Sequence, residues 1–152
     1  MAVIALGTNQ GDRASHLDHA VDRLRAVLDG VRVSACRETP PEPPARLSDP
    51  AYLNAIVIGR TPLEPRALLE RLLAIERERG RARPHAGAPR TLDLDLILLG
   101  DVVLKEPSLE VPHPRFRERR FVLEPLVELA PGLVDPVTGR TAAQLLEALI
   151  RT

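Results

Sequence analysis

Apolar and polar positions alternate along the chain in two different periods. Four apolar runs predict strands, over residues 2–6, 31–37, 52–60 and 92–99. Apolar side chains that recur at helical spacing predict a helix over residues 12–29, and a leucine-rich stretch predicts another over residues 65–80. Two further short apolar stretches predict helices near the C-terminus, over residues 121–129 and 141–150.

The order β-α-β-β-α-β predicts an α+β fold, a ferredoxin-like sandwich whose helices pack on an antiparallel sheet, with C-terminal helical additions. Gly100-Asp101 predicts a turn that leads into a short strand over residues 102–104. Prolines are concentrated in residues 38–50, which predicts a long loop because proline lacks an amide donor and fixes φ. With no repeat or linker in the pattern, we expect one domain over residues 1–152.

Composition excludes several classes of protein. The chain has 152 residues, of which 44% are hydrophobic, so it is long and apolar enough to form a core. Its formal net charge of zero argues against non-specific binding of nucleic acid. No apolar run approaches the ~20 residues of a membrane span. The lack of a signal peptide and the single cysteine, Cys36, predict a cytoplasmic protein, and the apolar run around Cys36 predicts that it is a core residue.

The predicted strand over residues 92–99 carries two acidic residues on one face. Because side chains alternate along a strand, Asp93 and Asp95 point the same way, about 7 Å apart, while Leu92, Leu94 and Leu96 point toward a core. Carboxylates are costly to bury without a partner, and a divalent cation such as Mg²⁺ is a usual partner for two of them. The alternative is a solvent-facing pair on an edge strand, which the D-x-D spacing alone would favour.

Arginines are concentrated in sequence around this acidic pair. Arg81, Arg83 and Arg90 lie on a predicted loop or strand start, where guanidinium groups can bind a polyphosphate beside a metal ion. Residues 7–11 are glycine-containing but lack the Gly-Lys-Ser/Thr ending of a Walker A motif. Phosphoryl-transfer chemistry would therefore rest on the acidic pair and the arginines.

Seven short motifs occur in one order along nearly the whole chain. The most specific is Pro89-Arg90-x-x-Asp93-x-Asp95. The others are Ala5-Leu6-Gly7-Thr8-Asn9, Thr39-Pro40-Pro41, Tyr52-Leu53-Asn54-Ala55, Glu76 with Gly80-Arg81-x-Arg83, Val111-Pro112-His113, and Arg119-x-Phe121. On these motifs the chain resembles the 6-hydroxymethyl-7,8-dihydropterin pyrophosphokinases of folate biosynthesis.

The resemblance implies an ATP-dependent diphosphotransferase. ATP, the co-substrate, would donate its β,γ-pyrophosphoryl group to the pterin hydroxyl by in-line attack on the β-phosphorus, leaving AMP. Asp93 and Asp95 would hold two Mg²⁺ that bridge the triphosphate, one of which would also orient the hydroxyl, and Arg81 and Arg90 would be the other catalytic residues. The resemblance also implies a set of nucleotide-binding residues: Arg83, Arg90, His113 and Arg119.

A pterin is a flat, polar heterocycle, which is best bound by stacking surfaces and an amide that pairs with its edge. Asn54 offers both a donor and an acceptor. Phe121 and Tyr52 offer ring faces, and they are two of only three aromatic residues in the chain. Backbone groups of Thr39 and Pro40 would complete recognition of the edge.

Two other functions remain open from the sequence. An RNA-recognition module of the same fold needs aromatic platforms and a basic face, and three aromatics with zero net charge count against it. A pseudo-enzyme is the second, because better-known family members carry a tryptophan shortly before the residue that matches Pro89, and this chain has none. Asp93, Asp95 and Arg90 argue against that reading. The expected partners are small molecules only, with no nucleic acid, membrane or obligate protein partner.

Overall fold

The computed structural model describes residues 1–40, 51–79 and 91–151. Strands in these ranges are β1 (Ala2–Thr8), β2 (Asp29–Val33), β3 (Arg37–Thr39), β4 (Tyr52–Arg60), β5 (Asp93–Leu99), β6 (Leu104–Glu106) and β7 (Leu109–Val111). Helices are α1 (Arg13–Arg25), α2 (Pro65–Glu78), α3 (Arg120–Leu129) and α4 (Ala142–Arg151). A single 3₁₀ turn, Phe116–Glu118, precedes α3.

The main sheet has the strand order β2-β4-β1-β5, and every pairing in it is antiparallel. The short strand β3 pairs with β4 beyond the end of β2, and β6 pairs with β7 in a separate hairpin. Helix α1 connects β1 to β2, and α2 connects β4 to β5. The predicted α+β class, with an antiparallel sheet and C-terminal helices, is confirmed.

Helices α1 and α2 cover one face of the sheet. Leucines at helical spacing on α1 and α2 pack against every second residue of β1 and β5, as the two periodicities require. The predicted inward leucines Leu92, Leu94 and Leu96 are all buried on this face. The opposite face of β5 is therefore the one that carries Asp93 and Asp95.

Helices α3 and α4 cover only part of that opposite face. They pack with the fully buried Phe116 on Val3, Ile56, Ile58 and Ile97. The remaining part of the face, along Ala5 and Gly7 of β1, forms the floor of a cleft. The C-terminal helices thus leave uncovered the part of the sheet where the acidic residues lie.

A β-bulge explains why the end of β5 is apolar without interruption. Val3 pairs with Leu98 and Ile4 pairs with Leu96, so Ile97 is an extra residue in β5. As a result Ile97 and Leu98 both face α3 and α4, while Leu96 faces α1 and α2.

The prediction of one strand over residues 31–37 is wrong. The regular pairing of β2 with β4 ends at Val33. Ser34 N still donates to Ile56 O at 2.9 Å, but the return bond from Ile56 N goes to Ser34 Oγ, at 2.8 Å, instead of to the backbone carbonyl. The chain leaves the sheet at this point and returns as β3. Cys36 lies in the gap and is exposed, so the prediction that it is a core residue is also wrong.

Other boundaries differ by a few residues. Helix α1 ends at Arg25 rather than at residue 29, and the short strand begins at Leu104 rather than at residue 102. The predicted loop 38–50 begins inside β3, and its residues 41–50 lie outside the described residues. Within the described ranges, no helix is long and apolar enough to cross a membrane.

Candidate active site

A cleft of about 250 Å³ lies on the α3 side of the sheet. It gathers residues from β3, β4, β5 and the start of α3 that are far apart in sequence. Eight residues singled out from the sequence line it: Thr39, Pro40, Tyr52, Asn54, Asp93, Asp95, Arg119 and Phe121. Tertiary folding therefore brings the predicted metal-binding and ring-binding groups into one cavity.

The floor of the cleft is built from two small residues of β1, Ala5 and Gly7. Gly7 pairs with Asn54 on one side and with Asp93 on the other, and Ala5 pairs with Asp95. A Cβ at Gly7 would lie 3.2 Å from Asn54 Oδ1, closer than ordinary packing allows. Neither Gly7 nor Ala5 was predicted from the sequence to be a site residue. The fall in size from Val3 to Ala5 to Gly7 along one face of β1 is the signal that could have found them.

Asp93 and Asp95 are half-buried at the rim of this floor. Strand β5 is an edge strand of the described sheet, as the solvent-facing alternative supposed, but its carboxylates line the cleft. The described residues contain no cluster of three or more His, Cys, Asp or Glu side chains arranged for a metal. Two carboxylates suit Mg²⁺ when the remaining oxygen ligands come from water and substrate phosphates.

A buried glutamate holds the backbone between the two aspartates. Glu76 of α2 is 2% exposed, and its Oε2 accepts a hydrogen bond of 2.7 Å from Leu94 N. A carboxylate so deeply buried is costly to place unless it is hydrogen-bonded, so this contact fixes β5 against α2. Its position on the stripe of Leu68 and Leu72 is the sequence signal of its burial.

Two threonine hydroxyls tie the start of β5 to its neighbours. The buried Thr8 donates to the carbonyl of Thr91, and Thr91 donates to the carbonyl of Arg79. Arg79 in turn donates to His16 Nδ1 at 3.0 Å, which joins α2 to α1. Three arginines that were predicted to bind phosphate, Arg81, Arg83 and Arg90, lie outside the described residues, so their roles stay predictions.

The amide of Asn54 has a fixed position on the cleft floor. Asn54 is 8% exposed, and its Nδ2 donates to Thr39 Oγ1 at 2.7 Å. The pairing of β3 with β4 makes this possible, because it places Thr39 opposite Tyr52 and Arg37 opposite Asn54. Among the described residues Thr39 is the one hydrogen-bond partner of this amide, so one amide hydrogen and the carbonyl oxygen of Asn54 can face a ligand.

Arg119 and Phe121 form the wall that faces this floor. The Arg119 guanidinium carbon lies 5.5 Å from the centre of the Phe121 ring. Arg119 Nε is buried and has no acceptor among the described residues. Neighbouring arginines are paired, Arg117 with Asp135 and Arg120 with Glu124. The arrangement suits a bound anion beside a flat ring.

His113 lies near Asp95 but does not line the cleft. Its backbone N donates to Ile97 O at 2.9 Å, and its Nδ1 accepts from Arg115 N at 3.2 Å. Burial lowers the pKa of His113, the positive charges of Arg119 and Arg115 lower it further, and the Asp95 carboxylate opposes them. The imidazole is therefore neutral near pH 7, with its proton on Nε2.

The chain is similar to known proteins over most of its length. The family model of 7,8-dihydro-6-hydroxymethylpterin-pyrophosphokinase (HPPK) matches residues 3–131. The 2-amino-4-hydroxy-6-hydroxymethyldihydropteridine pyrophosphokinase of Synechocystis sp. is 44% identical over 150 residues, which cover 96% of this chain and 74% of that protein. The protein of the same name from Pseudomonas aeruginosa is 40% identical over 147 residues, which cover 95% of this chain and 89% of its own.

Among solved structures, wild-type HPPK-DHPS of Plasmodium falciparum with pteroate aligns with a TM-score of 0.78 at 14% identity. The alignment covers 99% of this chain and 44% of that longer chain. At this identity the likeness shows the fold alone. Taken with the family model and the two bacterial relatives, it leads to one assignment: the chain belongs to the 7,8-dihydro-6-hydroxymethylpterin-pyrophosphokinase family.

Proposed function

We propose that this chain transfers the β,γ-pyrophosphoryl group of ATP to the hydroxyl of 6-hydroxymethyl-7,8-dihydropterin in folate biosynthesis, as a single domain acting in the cytoplasm. Family membership supports the ATP-dependent diphosphotransferase class. The observation that carries the substrate assignment is the composition of the cleft. The cleft offers two carboxylates and a guanidinium for a metal-bound polyphosphate, and it also offers an amide and two aromatic residues for a flat polar ring.

Asp93 and Asp95 are the residues that would hold Mg²⁺, and we propose two ions. Carboxylate oxygens are the hard ligands that this cation prefers, and the half-burial of both side chains keeps them accessible from the cleft. When bound, Mg²⁺ would neutralise the triphosphate and polarise its oxygens. Glu76 would keep both carboxylates in place through the Leu94 amide.

The protein would act on the pterin by positioning it. The amide of Asn54 would pair with the ring edge, and Phe121 and Tyr52 would pack on the ring. Backbone groups of Thr39 and Pro40 would bind the same edge. Holding the hydroxymethyl group beside the β-phosphorus makes the reaction effectively unimolecular, which is a large part of the catalysis of phosphoryl transfer.

The reaction itself is a displacement at the β-phosphorus. The pterin hydroxyl oxygen bonds to that phosphorus, the bond from it to the α,β-bridging oxygen breaks, and AMP leaves with the bridging oxygen. The hydroxyl proton is released. The guanidinium groups of Arg119, Arg81, Arg83 and Arg90 would bind the triphosphate and stabilise the charge that develops on the leaving oxygen. The neutral imidazole of His113 would donate a hydrogen bond from Nε2 to a phosphate oxygen.

The direct test is an assay for AMP. Monitoring the reaction by ³¹P NMR detects the pterin diphosphate as well. We expect AMP and pterin diphosphate only when ATP, Mg²⁺ and the hydroxymethyl-dihydropterin are all present. Omitting the pterin controls for hydrolysis of ATP, and EDTA controls for the metal. No AMP from the complete mixture, with protein that is folded by circular dichroism, would refute the proposal.

The tautomer of His113 leads to a separate prediction. A glutamine amide can place an N–H near the Nε2 position, whereas the shorter asparagine cannot. We therefore expect His113→Gln to keep the Kd for MgATP within about threefold and His113→Asn to weaken it about tenfold. His19→Gln, at an exposed contact with Glu78, is the control and should leave the Kd unchanged. Equal losses in the Gln and Asn variants would contradict a role for the Nε2 proton.

A further inference from the structure

We infer that Asp135 is a positioning residue for the nucleotide site, because through Arg117 it fixes the turn from which Arg119 and Phe121 enter the cleft. The inference rests on the function proposed above. Asp135 lies beyond residue 131, where the match to the family model ends. The segment after that residue thus contributes to a site whose other described groups come from the matched part.

Asp135 is the most completely bonded carboxylate of the described C-terminal region. It is 1% exposed and forks with Arg117, whose Nε and Nη2 donate at 2.6 and 3.0 Å. The amide of Val137 donates at 3.0 Å and the hydroxyl of Thr138 at 2.8 Å. Burial by itself raises the pKa of Asp135, but the hydrogen bonds from Arg117, Thr138 and Val137 outweigh it and hold the pKa below its usual value. The carboxylate is therefore ionised near neutral pH.

The backbone around Asp135 is also held. Asp135 N donates to Arg140 O and Gly139 N donates to Asp135 O, both at 2.8 Å, so residues 135–140 form a closed turn. Ala142 N, at the start of α4, donates to Leu133 O. Helix α4 packs against α3. The turn that contains Asp135 is therefore held in place, and so is Arg117, which is bound to Asp135.

Arg117 transmits that support to the site. It belongs to the 3₁₀ turn Phe116–Glu118, and its guanidinium carbon lies 4.7 Å from the centre of the fully buried Phe116 ring. Arg119 N donates to Phe116 O at 3.2 Å, and Arg119 O accepts from the amides of Val122 and Leu123 in the first turn of α3, both at 3.0 Å. The path of the chain into Arg119 and Phe121 thus depends on where Arg117 is held.

The ion pair between Arg117 and Asp135 also makes Arg117 differ from Arg119 in charge balance. Asp135 neutralises Arg117, while no carboxylate of the described residues lies within 4 Å of Arg119. With the carboxylate of Asp135 removed, an unneutralised guanidinium would stand two residues from Arg119. It would repel Arg119 and compete for the same phosphate oxygens. Asp135 therefore leaves Arg119 as the guanidinium of this turn that is available to the nucleotide.

A double-mutant cycle tests this inference. Asp135→Asn keeps the side-chain shape and the contact with the Val137 amide but removes the charge. We expect it to weaken binding of α,β-methylene-ATP with Mg²⁺ about tenfold, and Arg119→Met to do the same or more. The double variant should bind as weakly as Arg119→Met alone, because Asp135 acts through Arg119. Calorimetric Kd values for the unsubstituted protein, the two single variants and the double variant give the coupling free energy between Asp135 and Arg119.

A purely structural role would reduce affinity by the same factor in both backgrounds, and that outcome would overturn the inference. So would an unchanged Kd in folded Asp135→Asn. The matched control is Glu106→Gln, which breaks the exposed Arg66–Glu106 pair of 2.6 Å with the same change of charge and should leave the Kd unaltered.

A milder variant serves if Asp135→Asn does not fold. Thr138→Val removes one donor to the carboxylate and keeps its charge, so we expect a loss of about threefold that disappears in the Arg119→Met background. A loss that persists there contradicts the inference. If the unsubstituted protein fails to bind the analogue, the proposed function fails. If it binds and the cycle has no coupling, only the role of Asp135 fails.

Discussion

Replacing Asp95 with asparagine is expected to lower kcat/KM for pyrophosphoryl transfer by at least about a thousandfold. The amide has the same size as the carboxylate and fits beside Ala5, but it carries no charge to hold Mg²⁺ against the triphosphate. Steady-state AMP formation over a range of Mg²⁺ concentrations measures the loss. We expect the same result for Asp93→Asn, because both carboxylates line the cleft.

Folding should survive these substitutions. Leu94 between the two positions is buried, and its amide is held by Glu76, neither of which changes. Because the amide keeps the size of the carboxylate, we expect only a small change in the thermal midpoint. Asp101→Asn, on an exposed residue just after β5, is the matched control and should retain full activity. Activity of Asp95→Asn within tenfold of the unsubstituted enzyme would rule out Asp95 as a metal ligand.

Replacing Gly7 with valine is expected to weaken pterin binding at least about a hundredfold without loss of stability. A Cβ at Gly7 already lies 3.2 Å from Asn54 Oδ1, so the two methyl groups of valine must enter the cleft or displace the amide. Gly7 pairs with Asn54 on one side and Asp93 on the other, so the backbone has little freedom to retreat. Calorimetric titration with the pterin, in the presence of the ATP analogue, measures the effect.

A second glycine provides the control for Gly7. Gly59 lies on β4, and its added Cβ would come 2.8 Å from Leu28 Cβ, away from the cleft. Gly59→Ala should therefore reduce the free energy of unfolding by about 1–3 kcal/mol and leave the pterin Kd unchanged. Gly7→Val should instead weaken pterin binding and leave the free energy of unfolding unchanged, since valine favours a strand. A normal pterin Kd in Gly7→Val would mean that the ring binds elsewhere.

Local periodicity predicted the larger elements well because it depends on each segment's own sequence. The strand over residues 52–60 was predicted with the bounds that the structure has. Alternation over residues 92–96 correctly separated the leucines from the aspartates. The failures are at short elements that exist only through a partner. Strand β3 has three residues and is defined by its pairing with β4, so no internal period could separate it from β2.

Burial of single residues also escaped the sequence. Cys36 belongs to an apolar run yet is exposed, because the strand breaks at Ser34. Glu76 shares the helical stripe of Leu68 and Leu72, but a charged residue can be buried there only because the Leu94 amide lies within its reach. Each outcome depends on a contact with a residue distant in the chain, which a local pattern does not contain.

By itself, then, the sequence determined the α+β class, the order of its main elements and the pair of carboxylates on one strand face. The family motifs predicted which other residues act with these two carboxylates. Only the tertiary structure decided what the carboxylates face. Strand register places Gly7 between Asn54 and Asp93, and α3 and α4 cover part of that side of the sheet and leave a cleft beside it. Period two gives the two aspartates a common side, but the packing of distant helices and strands makes that side the lining of a cleft.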